Sequence, residues 1–116
     1  MTLARIKTLA ELYDTLTTGM TRLPAGHIGY RHFRGDAEPP MLVYYETDIE
    51  PTAADNTLYF SGSNVTIELY TADLRDLQLE QQLESVLLAG GLVYDKTITY
   101  IDGERLYECS YSVEIC

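Results

Sequence analysis

Tryptophan is absent from this chain of 116 residues, phenylalanine occurs twice, and cysteine and histidine occur twice each. No run of about 18 apolar residues exists, so no helix of membrane-spanning length is expected. The opening "MTLARIKTLAELYD" is broken by charges and lacks the apolar core of a signal peptide, which points to folding in the cytosol. Cys109 and Cys116 lie seven positions apart on what reads as one strand, too far to bridge, so both are expected as plain thiols. With no CxxC pair, and with His27 and His32 remote in sequence, nothing argues for a metal site or any other cofactor.

Catalytic signatures are missing as well. There is no GxSxG, Walker loop, HExxH or GxGxxG. Asp73 and Asp76 read as caps of a following helix rather than as an acid–base pair. The histidines of "GHIGYRH" read as strand-edge residues. A non-enzymatic role is expected.

Positive charge is scarce: 8 basic residues face 18 acidic ones, for a net charge of −10. It is also unevenly placed, about +3 over residues 1–35 and −13 over residues 36–116. A protein that grips nucleic-acid phosphates needs clustered Lys and Arg, so an ordinary binder of that class is not expected. Two readings of the asymmetry remain. One is a solvated acidic surface with scattered arginines. The other is a basic region, including Arg31 and Arg34, that meets an acidic neighbour.

What the chain has in quantity is tyrosine, ten in all. Tyr44 and Tyr45 are consecutive, so on a strand they point to opposite faces. Tyr70 falls on the face opposite Val65, Ile67 and Leu69. Tyrosine serves either as a core aromatic with its hydroxyl at the surface or as an interface residue. The second role is expected for Tyr70 and for one of Tyr44 and Tyr45.

Periodicity gives the elements. Leu3, Ile6, Leu9, Leu12, Tyr13 and Leu16 form a helical stripe, predicting a helix over 3–17 with Thr2 as N-cap and Gly19 as stop. A short strand follows in "HIGYRHF", and Pro39 and Pro40 precede the clear strand "MLVYYETD". Residues 58–60 and 65–71 read as two strands joined by the turn "SGSN", or as one long strand with a bulge. Leu79, Leu83, Val86 and Leu87 predict a helix capped by Asp76 and closed by Gly90 and Gly91, with residues 80, 81, 82 and 84 on its outer face. A hairpin across Asp102-Gly103 ends the chain, with Tyr107, Cys109, Tyr111, Val113 and Ile115 on one face. The fold class is α+β: one domain over 1–116, a mostly antiparallel sheet of four to six strands with two helices on one face, in the order α-β-β-β(-β)-α-β-β. Residues 18–26 and 50–57, the latter including Asp55 and Asn56, lack periodicity and are expected to contact partners.

"PPMLVYYETD", "AADNTLY", "VTIELYT" with its acid-capped helix, and "AGGLVYDKTITYIDGERLYECSYSVEI" together resemble a family of small tailed-phage and prophage proteins, the head–tail connector or tail-completion (tail-terminator-like) proteins. The resemblance runs from about residue 8 to residue 115, with Leu74 and Gly62 departing from the family's pattern. It implies a structural virion protein at the head–tail junction, assembled in the host cytoplasm. It also implies a ring of copies, commonly a hexamer, that caps the tail tube. Its partners would be the major tail protein and a connector or stopper protein. DNA would pass through the lumen unbound, and no membrane would be involved. The alternative is a small acidic binding protein that regulates or inhibits a basic partner surface.

Overall fold

A computed structural model describes residues 6–24, 26–31, 38–46, 63–72 and 75–115. The elements run α1 (Leu9–Gly19), β1 (Ile28–Tyr30), β2 (Met41–Glu46), β3 (Ser63–Thr71), α2 (Leu77–Ala89), β4 (Tyr94–Ile101) and β5 (Leu106–Ile115). The five strands form one sheet in the order β1-β2-β3-β5-β4. β1 and β2 run parallel, and every other neighbouring pair is antiparallel. The α+β class and the element order therefore stand as expected. Residues 58–62 and Asp73 lie outside the described residues.

α1 starts later than the apolar stripe suggests, at Leu9 rather than residue 3. Thr8 is the cap: its hydroxyl accepts from the Glu11 N–H at 3.1 Å, and the Glu11 carboxylate accepts from the Lys7 N–H at 2.7 Å. Ile6 is buried but not helical, because its N–H donates to the Gly90 carbonyl at the end of α2 (2.9 Å). Its place in the stripe reflects burial, not helix. Thr2 and Leu3 lie outside the described residues. Asp76 caps α2 as expected, accepting from the Leu79 N–H at 3.0 Å. Gly91 takes the left-handed conformation (φ 82°) that closes it.

The β4–β5 connection is longer than a two-residue turn. Ile101 pairs with Leu106, leaving a 3-10 turn at Asp102–Glu104 and Arg105 at φ 56°. A tight hairpin needs positive φ at its central residues, and here the left-handed position falls on Arg105 instead of Gly103.

Both helices lie on the same side of the sheet. Leu12 and Leu16 of α1 and Leu79, Leu83 and Leu87 of α2 pack on Leu42, Tyr44, Val65, Ile67, Leu69, Cys109, Tyr111, Val113 and Ile115. Each such aliphatic side chain removed from water contributes about 1.5–3 kcal/mol. α1 and α2 approach closely at Gly19, where an added Cβ would lie 2.6 Å from Val86 Cγ2.

Gly19→Ala tests that approach. Helix propensity alone would gain about 1 kcal/mol. Overpacking against Val86 should reverse the sign and cost about 1–3 kcal/mol in chemical denaturation, with part recovered by adding Val86→Ala. A Gly19→Ala variant more stable than wild type would show that the helices have room there.

Candidate functional site

The sheet has a covered face and an open one. On the open face, register sets Tyr45, Thr66 and Ser112 in a row with Asp95. The next row joins Val43, Glu68, Ser110 and Thr97, and a third joins Met41, Tyr70, Glu108 and Thr99. No described helix packs on this side, although Val43 is buried on it, and none of the described strand residues on it is Lys or Arg. The acidic members are Glu68, Asp95, Glu108 and Glu114.

Two tyrosines and two carboxyls form the centre of this face. Glu68 accepts from the Tyr45 hydroxyl at 2.6 Å and from the Tyr70 hydroxyl at 2.7 Å. The Tyr70 hydroxyl also lies 3.4 Å from Glu108 Oε2. Its hydrogen bond to Glu68 pushes the Tyr45 phenol up to about 12, with burial adding to the shift. Burial, then Glu68, raises the Tyr70 phenol further, so both remain protonated donors. Burial and the adjacent Glu68 also hold the Glu108 carboxyl above its ordinary range.

The covered face contains an ionic cluster that helical periodicity assigned to the outer surface of α2. Glu80 is buried, 1 % exposed, between helix and sheet. Arg75 reaches it with two donors, at 3.0 and 2.7 Å, and Lys96 Nζ with one at 2.9 Å. Lys96 also bridges to Glu84 at 2.6 Å, and the Tyr111 hydroxyl donates to the same Glu84 oxygen at 2.8 Å. Burial by itself would raise the Glu80 carboxyl, but hydrogen bonds from Arg75 and Lys96 outweigh it and hold the group at about 2. Burial, with Glu80 alongside, pushes the Cys109 thiol up to about 12, so Cys109 is an inert core residue.

A third cluster sits at the β1 end of the sheet. Tyr44 is buried on the covered face, with ring centroids 6.3 Å from Tyr13 and 5.3 Å from Tyr30. The Tyr30 hydroxyl donates to Glu46 at 2.5 Å, and Arg31 Nη2 pairs with the same oxygen at 2.9 Å. Arg31 has φ 72°, a left-handed conformation that turns the chain out of β1.

The expected interface residues therefore separate. Tyr45 and Tyr70 come together on the open face. Tyr44 joins the core, and Arg31 sits at the sheet end with a partner in its own chain. Arg34, Asp55 and Asn56 lie outside the described residues. Glu68, Glu80, Lys96 and Glu108 were not singled out in the sequence. Glu80 carried a signal, since it adjoins Leu79 and precedes Leu83 by three, on the flank of the buried stripe.

Among the described residues, no helix is long and apolar enough to cross a membrane, and no group of His, Cys, Asp and Glu could hold a metal ion. Comparisons with family models, with curated proteins and with solved structures give no match.

Two carboxyls shifted in opposite directions predict opposite pH effects. Glu80 titrates near 2 in the folded chain against an ordinary 4.5, so its contribution is full above about pH 4.5 and is lost as pH falls towards 2. Glu80→Gln should cost about 3 kcal/mol at pH 7, since it breaks a buried pair on one side, and less at pH 3. Glu108 is raised from 4.5, so its contribution is full below that value and is lost as pH rises through its folded value. Glu108→Gln should therefore match wild type in acid and exceed it near neutrality. Denaturation of the three proteins between pH 3 and 7 reads both slopes, and parallel curves would contradict them.

Proposed function

We propose that the protein is a ring-forming structural component of a tailed-phage virion, a tail-completion or connector protein at the head–tail junction. The observation that carries this reading is the open face: broad, hydroxyl-rich and acidic, with no basic residue among its described strand positions. A wall of this kind repels phosphates and lets DNA pass without sticking. The sequence resemblance supplies the setting, with the copies closing into a ring, a hexamer by that likeness. The ring would sit on the major tail protein and meet a connector or stopper protein. In this arrangement Tyr45 and Tyr70 line the lumen, held there by Glu68, instead of bridging two copies.

The test has two parts. Sedimentation velocity of the purified chain should show a closed oligomer at raised concentration. Moderate salt should tighten it, because screening weakens the repulsion between chains of charge −10. Ser112→Lys with Glu114→Lys, both exposed on the open face, should leave the oligomer intact and make it retain duplex DNA at low salt, where wild type does not. A chain monomeric at every concentration, or a wild-type oligomer that binds DNA, would sink the proposal.

A further inference from the structure

We infer that copies of this chain join edge to edge, the β4 edge of one copy adding to the β1 edge of the next, so that the sheet continues from copy to copy. This inference rests on the ring reading for the fact of self-assembly and adds which surfaces meet.

The two ends of the sheet are the starting point. Among the described residues, β1 and β4 each have one strand neighbour. In β1, Arg31 N–H donates to the Tyr44 carbonyl and the His27 carbonyl accepts from Leu42 N–H. In a parallel ladder this parity directs residues 27, 29 and 31 towards β2. The N–H and C=O groups of Ile28 and Tyr30 therefore point away from the sheet, a template for an added strand. Beside them, a groove of about 280 Å³ lies between α1 and β1, lined by Tyr13, Met20 and Ile28 among others.

β4 is the matching strand. Its side chains on the covered face are Tyr94, Lys96, Ile98 and Tyr100, the partners of Val113, Tyr111, Cys109 and Tyr107. α2 holds this row only as far as Lys96, through Glu80 and Glu84. Ile98 and Tyr100 extend past it and stay 40 % and 43 % exposed. Natural edge strands are usually guarded by proline or by a charge. Here Thr97 to Tyr100 carries neither, and the nearest lysine is already tied to α2.

Direction and charge select the occupant. β1 runs with β2 and β5, and β4 runs against them. Continuing the sheet in one plane therefore makes the new ladder antiparallel. Counting antiparallel from Ile98 opposite Ile28 keeps both on the covered face, beside the groove. The same count brings exposed Asp95 to the end of the neighbour's β1, beside the Arg31 that already pairs with Glu46 there. A contact between two different edges is head-to-tail, and repeated with closure it gives a ring.

Mixing two disabled variants tests this on the full chain. Ile98→Asp spoils only the β4 edge, and Tyr13→Glu only the groove side. Each alone should be monomeric at concentrations where wild type assembles. Mixed, they should give a one-to-one dimer and nothing larger, because one good edge of each kind remains. Circular dichroism checks that both are folded. Should either unfold, Tyr100→Lys and Thr17→Arg replace them in the same mixture. Folded variants that assemble like wild type, or that stay monomeric when mixed, overturn the edge contact and leave the ring reading standing. A wild-type chain that never assembles overturns both.

Discussion

Glu80 is a carboxylate with almost no access to water, and its position depends on three hydrogen bonds from two cations. An unpaired charge there would cost several kcal/mol, so helix and sheet must meet where Arg75 and Lys96 can both reach it. Arg75 precedes the helix and Lys96 lies on β4, so the carboxylate ties both ends of the α2–β4 crossover together. The hydrophobic stripe of Leu79, Leu83 and Leu87 would tolerate some sliding over the sheet. The ionic cluster would not. It fixes how far along β4 the helix extends, and so which part of that strand is left uncovered.

That limit shapes the whole molecule. Two helices are enough to cover the middle strands, and the core closes over β2, β3 and β5. At the ends, coverage thins. Ile98 and Tyr100 extend past α2 at one side, and Tyr13 and Tyr30 remain partly exposed at the other. On the other face Val43 and Met41 sit among polar side chains that are partly satisfied by one another. Tyr45 and Tyr70 both hydrogen-bond to Glu68 there, with no described helix above them.

Most of the architecture was legible because it follows from period. The alternation of residues 65–71 placed Val65, Ile67 and Leu69 inside and Tyr70 outside. The doublet Tyr44-Tyr45 had to divide between the faces, and it does. Asp76, Gly90 and Gly91 marked the ends of α2 through chemistry that acts within one turn. The misreadings arose where a distant contact overrode a local pattern. Ile6 keeps helical spacing but is drawn to the Gly90 carbonyl, so α1 begins at Leu9, capped by Thr8. Glu80 has a polar side chain on the flank of an apolar stripe, and its burial depends on Lys96, sixteen residues further on. The Tyr45–Glu68–Tyr70–Glu108 grouping needs the register of three strands, which no single segment encodes.

The distribution of charge then limits how two such chains can meet. At −10, copies repel, and the open face adds Glu68, Asp95, Glu108 and Glu114 to any contact that stacks two sheets. Desolvating those carboxylates without cations opposite would cost more than the hydroxyl-rich surface could return. The sheet edges differ. Their outward backbone groups are neutral and have no strand partner among the described residues, Thr97 to Tyr100 carries no charge, and the Arg31–Glu46 pair stands at the end of β1. Backbone pairing falls off within a few ångströms, whereas charge repulsion reaches over a Debye length of about 10 Å. On the proposed edge contact, association would therefore be disfavoured in most orientations and favoured in the one that aligns two edges. In the proposed ring, the same acidity that disfavours a grip on nucleic-acid phosphates would act as a filter on how copies meet.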